Sequence, residues 1–197
     1  GCELVIDTKW NKLMGAHPIR DMSVGKREYC VKGRCCLPAL FNSPDRLKYP
    51  AIRREDGNII YTDWDSAINH VSDILSHYSP REIAVLSSGH LTDESIYALN
   101  EFARIYAESN IFYLADDEVI FPNIEKSDEI FKDIKILYIA EANSLTNNTV
   151  EKFGALENII IQDIYPSPLS RSAKACAILP ATVFTEMNGT KSCAENR

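Results

Sequence analysis

The strongest constraint on this chain is an alternation of apolar patterns between Thr62 and Pro180. Thr62-Asp63-Trp64-Asp65 has the form of a capped helix start, with an acidic residue three positions on. Trp64, Ala67, Ile68, Val71, Ile74 and Leu75 then recur at helical spacing to about His77, and Pro80 ends the segment. Ile83-Ala84-Val85-Leu86 has the length and character of a buried strand. After the turn Ser87-Ser88-Gly89, Thr92 or Asp93 caps a second helix with Ile96, Leu99, Ala103 and Tyr106 on one face. Ile111-Phe112-Tyr113-Leu114 is the next strand. Strand, helix and strand within about 30 residues form a βαβ unit, whose crossover requires a parallel sheet. Further strands are expected at 134–140 and 159–161, a helix from Thr146 to Leu156, and a short apolar segment at 177–180. The fold class is therefore α/β.

Residues 1–60 read differently. A short strand is expected over 3–8, followed by turn chemistry at Asn11, Lys12 and Gly15 and a polar stretch to Cys30. Pro38, Pro44, Pro50 and Gly57 make the remainder loop-rich, so this segment needs a partner surface or a metal to organise it. Four of the six cysteines (Cys2, Cys30, Cys35 and Cys36) fall here, while Cys176 and Cys193 stand alone and read as small packed thiols. Clustered cysteines in a chain without a secretory leader suit metal ligation better than disulfides.

Composition narrows the function. The net charge of −7 and the lack of a basic cluster argue against a nucleic-acid surface. The longest apolar runs are far shorter than the roughly 20 residues a membrane helix needs. The chain starts Gly1-Cys2 with no leader, which reads as a trimmed start or a piece of something longer, and a cytoplasmic location is expected.

Several residues invite a chemical role and also have a plainer one. His90, after a strand and a turn, is either a functional group at a strand end or a surface histidine. His70 and His77 lie seven apart on the first helix, a spacing that does not suit zinc. The Asp116–Glu118 run reads as a solvated loop. No Ser/His/Asp or Cys/His nucleophile arrangement and no phosphate-binding glycine loop is evident.

The cysteine segments carry a family resemblance. Gly1-Cys2-Glu3-Leu4-Val5 and Cys30-Val31-Lys32-Gly33-Arg34 resemble the third and fourth cluster-ligand segments of the molybdopterin oxidoreductases. That family includes formate dehydrogenase catalytic subunits and the large iron–sulfur subunit of respiratory complex I. Asn42-Ser43-Pro44-Asp45-Arg46-Leu47, Thr62–Ala67, Asp93-Glu94-Ser95 and Phe102-Ala103-Arg104 continue the likeness in order. Gln162-Asp163-Ile164-Tyr165 and Ile178-Leu179-Pro180-Ala181 are similar to the strand and loop where the family binds its second pterin nucleotide. Thr185–Thr190 with Glu195-Asn196-Arg197 looks like its C-terminal signature.

The resemblance implies a small cluster-binding N-terminal lobe over 1–60 and a reduced, parallel-sheet, Rossmann-like α/β domain over 61–197. Cys2 and Cys30 would ligate a 4Fe-4S cluster, with the other two ligands from outside this segment. Lys32 would neutralise that cluster or bind backbone carbonyls. The family carries a much longer stretch between Leu114 and Ile134 than the 20 positions separating them here, and its metal-ligating Cys or selenocysteine lies in that stretch. Molybdopterin guanine dinucleotide and a catalytic residue are therefore not expected in this chain. The function implied is an iron–sulfur electron-transfer or scaffold subunit working with flavin or iron–sulfur partner subunits. Two alternatives stand beside it: a fragment of an active molybdenum or tungsten bis-pterin oxidoreductase, and a cofactor-free structural subunit.

Overall fold

A computed structural model of the chain describes residues 4–18, 36–88, 91–108, 110–115, 118–120, 132–141, 150 and 153–191. It divides into two compact units, one of residues 1–45 with 183–197 and the other of residues 46–182.

The larger unit is built on an eight-stranded sheet. Its strands are β3 (Ala51–Arg53), β4 (Ile59–Tyr61), β5 (Ile83–Ser88), β6 (Ile111–Ala115), β7 (Glu118–Ile120), β8 (Ile136–Ala140), β9 (Asn158–Asp163) and β10 (Ala175–Pro180). The spatial order is β4-β3-β10-β9-β8-β5-β6-β7. The five central strands run parallel. The β3–β4 hairpin at one edge and β7 at the other run antiparallel to their neighbours. The α/β fold expected from the alternation is thus the one observed. The sequence reading places 51–60 with the N-terminal lobe, whereas β3 and β4 pair into the large sheet. These strands are only three residues long. They form because Ile52 meets Ala177 and Ala51 meets Ile178 in register, a partnership that local pattern does not reveal. The turn between them carries Gly57 at φ 83°, where a side chain would be strained.

Two helices cover one face of this sheet. Helix α2 (Trp64–Ser76) is capped by Asp63, whose carboxylate accepts the Ser66 amide at 2.8 Å. Helix α3 (Asp93–Tyr106) is capped by Thr92, which accepts from the Ser95 amide at 3.2 Å. Ala67 of α2 and Ala103 of α3 are buried in one cluster with Ile83, Val85, Ile111, Ile136 and Ile160, and Val71, Ile74, Leu99 and Phe102 pack against it. The small alanines let each helix approach the sheet closely. Trp64 and Ile68, expected on the buried stripe, are exposed instead; the stripe is centred on Ala67, and these two lie on its flank.

The opposite face holds Leu86, Phe112, Leu137, Ile139, Ile159 and Ile161, covered by Ile134, Phe153, Leu156 and Leu169. Phe112 and Phe153 meet edge to face with centroids 6.3 Å apart. Most of the helix expected from Thr146 to Leu156 lies outside the described residues; Val150 is helical and 154–155 form a turn.

The smaller unit contains β1 (Leu4–Lys9), β2 (Lys12–Pro18) and α1 (Leu37–Asn42). β1 and β2 form an antiparallel hairpin with a register shift between Asp7 and Thr8. An isolated hairpin is marginal in water, and here α1 supports it. The Asn42 amide donates to the Leu13 carbonyl at 2.7 Å, and its oxygen accepts the Leu13 amide at 3.1 Å. Leu13, Ala16 and Leu37 supply its buried apolar residues.

Candidate functional site

The order of the parallel strands locates the candidate site. Numbered by chain order among themselves, β5, β6, β8, β9 and β10 are arranged 2-1-3-4-5. The chain runs outward in one direction from β5 to β6 and in the other through β8, β9 and β10. Doubly wound sheets open a crevice beyond the carboxyl ends of the strands where this reversal occurs, and ligands bind there. The reversal lies between β5 and β8.

Polar residues collect at those ends. Ser87 pairs in register with Ala140, and Ala140 with Gln162. Ser87, Ser88 and Thr92 are buried. The Thr92 and Ser95 hydroxyls lie 2.9 Å apart. Glu141 follows β8 with φ 49°, a left-handed backbone for a non-glycine residue, and its amide donates to the Gln162 carbonyl at 2.8 Å. Gln162 accepts from the Tyr138 hydroxyl through its side-chain oxygen. Burial pushes the Tyr138 phenol up to about 12, so it stays a donor at neutral pH. Asp163 ends β9 and is only 1% exposed. One of its carboxylate oxygens accepts the Ile164 amide at 2.6 Å, and its carbonyl accepts the Ala181 amide at 2.8 Å.

Among the described residues, this set can bind but shows no catalytic constellation. It offers hydroxyls, an amide and a buried carboxylate, the donors and acceptors that hold a sugar or base edge. Asp93 and Glu94 occupy the first turn of α3 and already complement its dipole, so that terminus does not favour a phosphate.

Of the residues selected from sequence, Cys2, Cys30 and Lys32 lie outside the described residues, as do His90, Cys35 and Cys193. Among the described residues, no group of three or more His, Cys, Asp or Glu is placed to hold a metal ion. Two described thiols are free. Cys36 is exposed, ahead of α1; Cys176 is buried in β10 and donates to the Ile159 carbonyl at 3.3 Å. Burial raises the Cys176 thiol to about 11, which leaves it protonated and a poor metal ligand. These two thiols therefore do not form a ligand set for an iron–sulfur cluster, and the candidate ligands Cys2 and Cys30 lie outside the described residues. His77 caps α2, its Nδ1 2.8 Å from the Asp73 carbonyl. Glu141 was missed by sequence reasoning, because its strained backbone leaves no mark in residue type.

Comparison with known proteins relates part of the chain to a family. Residues 46–119 match the molybdopterin oxidoreductase family. The F420-dependent formate dehydrogenase 2 subunit alpha of Methanococcus maripaludis is 34% identical over 110 residues, covering 56% of this chain and 16% of that protein. The F420-dependent formate dehydrogenase subunit alpha of Methanocaldococcus jannaschii is 33% identical over a stretch of the same length and coverage. The match thus spans about one sixth of these relatives' length. No helix among the described residues is long and apolar enough to cross a membrane. Residues 46–119 of the chain are thus similar to the molybdopterin oxidoreductase family, over less than half of its length.

Proposed function

We propose that this chain is an electron-transfer or scaffold subunit of a larger redox complex of the formate dehydrogenase kind. The observation that carries the reading is the family match over 46–119 together with a sheet that closes without a long insert. β6 and β8 both pair with β5, and only 20 residues separate Ala115 from Ile136 in the sequence. The electron-transfer half rests on the resemblance at Cys2 and Cys30, with Lys32 beside the second thiol. Those thiolates would serve a 4Fe-4S cluster completed by ligands from outside this segment, a group that supplies one-electron transfer. The relatives are named as alpha subunits, and flavin or iron–sulfur subunits are the partners this reading calls for.

Iron and acid-labile sulfide measured in the complex, with an electron paramagnetic resonance spectrum after dithionite reduction, test the reading. A reduced-cluster signal lost in Cys30→Ser is the expected result. A complex containing no iron or sulfide ends the electron-transfer half. Unchanged assembly and electron flux in Cys30→Ser would instead favour a cofactor-free structural subunit.

A second reading is favoured by Asp163, a buried carboxylate at the carboxyl end of β9, one strand beyond the reversal. Here the chain is part of an active bis-pterin oxidoreductase, and the crevice holds the nucleotide end of the pterin. Molybdenum or tungsten in the complex, with guanine nucleotide released on denaturation and depleted in Asp163→Ala, supports it. A complex with neither metal eliminates it.

A further inference from the structure

The tip of the β1–β2 hairpin is built against the ordinary preferences of such turns. Lys9 pairs with Lys12, so the loop has two residues, Trp10 and Asn11. Both have positive φ, 52° and 56°, the signature of a type I′ turn. Its first position favours Asn, Asp or Gly, because a bulky side chain is strained in the left-handed region. Tryptophan stands there instead. It is 82% exposed, so in the free chain its apolar surface is left in water. Its one described ring contact is with Lys9, whose ammonium lies 4.2 Å from the ring centroid. A residue that strains its backbone and packs into no core needs another reason to be at this position.

Charge narrows what the tip would meet. Thr8 to Leu13 carry two cations, Lys9 and Lys12, and no anion, on a chain of net charge −7. Just below, Asp7 is held by His17 at 2.5 Å. The tip is therefore a small positive, aromatic point on an acidic molecule. Tryptophan is enriched at the energetic centres of protein interfaces, where it fills a desolvated pocket, and rim charges steer encounter with an oppositely charged partner. Two acidic copies of this chain, each of net charge −7, repel each other, which disfavours a contact between copies. Two lysines are too few to hold an anionic membrane or a nucleic acid against this net charge.

We infer that the hairpin tip docks the chain onto a different protein subunit, with Trp10 seated in an apolar pocket rimmed by Asp or Glu and with Lys9 and Lys12 facing that rim. This rests on the reading of the chain as a subunit of a larger complex and names the surface it would use.

The test is a photo-crosslinking residue at the tip. Trp10→p-benzoylphenylalanine is placed in the full chain, the complex is isolated from its native source organism, and it is irradiated and mapped by peptide sequencing. The expected adduct lies on another subunit, at an apolar residue flanked by acidic ones. Trp10→Gly should raise the melting temperature of the free chain by a few degrees, by relieving the turn. It should also weaken the partner's binding at least tenfold. Lys9→Glu with Lys12→Glu should slow association and reverse its salt dependence, so that added salt speeds it. An adduct confined to this chain or a second copy, an adduct to lipid or nucleic acid, or unchanged partner affinity in Trp10→Gly overturns the inference. Iron content separates the two claims. A cluster-free complex that still crosslinks through position 10 ends the electron-transfer reading alone. A cluster-bearing complex with no such adduct ends this one alone. A chain that purifies with no other subunit ends both.

Discussion

Glu82 sits where several donors converge. The Lys135 ammonium lies 2.5 Å from one carboxylate oxygen, and the Ser79 amide and hydroxyl donate to the other, each at 2.9 Å. Chiefly through the Lys135 hydrogen bond, the folded state holds this carboxyl down at about 2, against an ordinary 4.5. The folded form therefore binds this proton less readily than the unfolded one. The stabilisation is complete above about pH 4.5 and fades as pH falls toward 2. Melting temperatures across that range should decline, and Glu82→Gln should lose part of the slope. A slope identical in the variant would show that other carboxylates carry the acid sensitivity. Cys176 makes a second prediction at this scale. With its thiol raised to about 11 and buried, it should resist iodoacetamide at pH 8 until the chain is denatured, whereas exposed Cys36 should label in the native state. Peptide-resolved mass spectrometry distinguishes them; native-state labelling of Cys176 would place it in a segment that opens readily. The composition of its segment suggests a packed thiol. Trp10 carries no such mark, since nothing in a lone tryptophan before Asn11 reveals that both residues adopt left-handed backbone.

Elements were legible in proportion to how local their causes are. Thr92 is readable as a cap from its place ahead of an amphipathic run, and the structure confirms the bond to the Ser95 amide. Thr92→Ala should cost about 1 kcal/mol, read as a lower urea midpoint at unchanged slope; a midpoint shift of zero would mean that water satisfies the helix end equally well. For α2 the cap is Asp63, one residue past the start suggested by the Thr62–Asp65 pattern. β2 escaped because Gly15 and Pro18 interrupt its alternation and its partner β1 has to be in place. β3, β4 and β7 escaped because three residues carry no period. What makes them strands is hydrogen bonding to a neighbour that can be far along the chain, as Ile52 is to Ala177.

At the scale of the molecule, the parallel sheet carries the larger unit. Ile160 is fully buried near its centre, between the sheet and the helix layer. Ile160→Ala should destabilise this unit by about 2–5 kcal/mol, through lost burial and the cavity left behind. Chemical denaturation monitored by circular dichroism measures it, and a loss under about 1 kcal/mol would mean that the neighbours collapse into the space. The α/β class and the parallel strands were readable because alternating periods and short crossovers are local properties of the chain. The strand order, and with it the reversal beside β5, was not readable. Nothing in the residues of β6 and β8 says that they flank β5 on opposite sides; that depends on which edges are free when the helices pack. The arrangement that brings Ser88, Glu141 and Asp163 to one end of the sheet is accordingly a tertiary product. By itself the sequence determined the class of fold, the buried strands and the helix caps, because propensity, apolar period and side-chain capping act within a few residues. Only the tertiary structure decided the sheet order, the edge hairpin and the gathering of these polar strand ends, because hydrogen bonding and burial act between segments as much as 127 residues apart, the separation of Ala51 and Ile178.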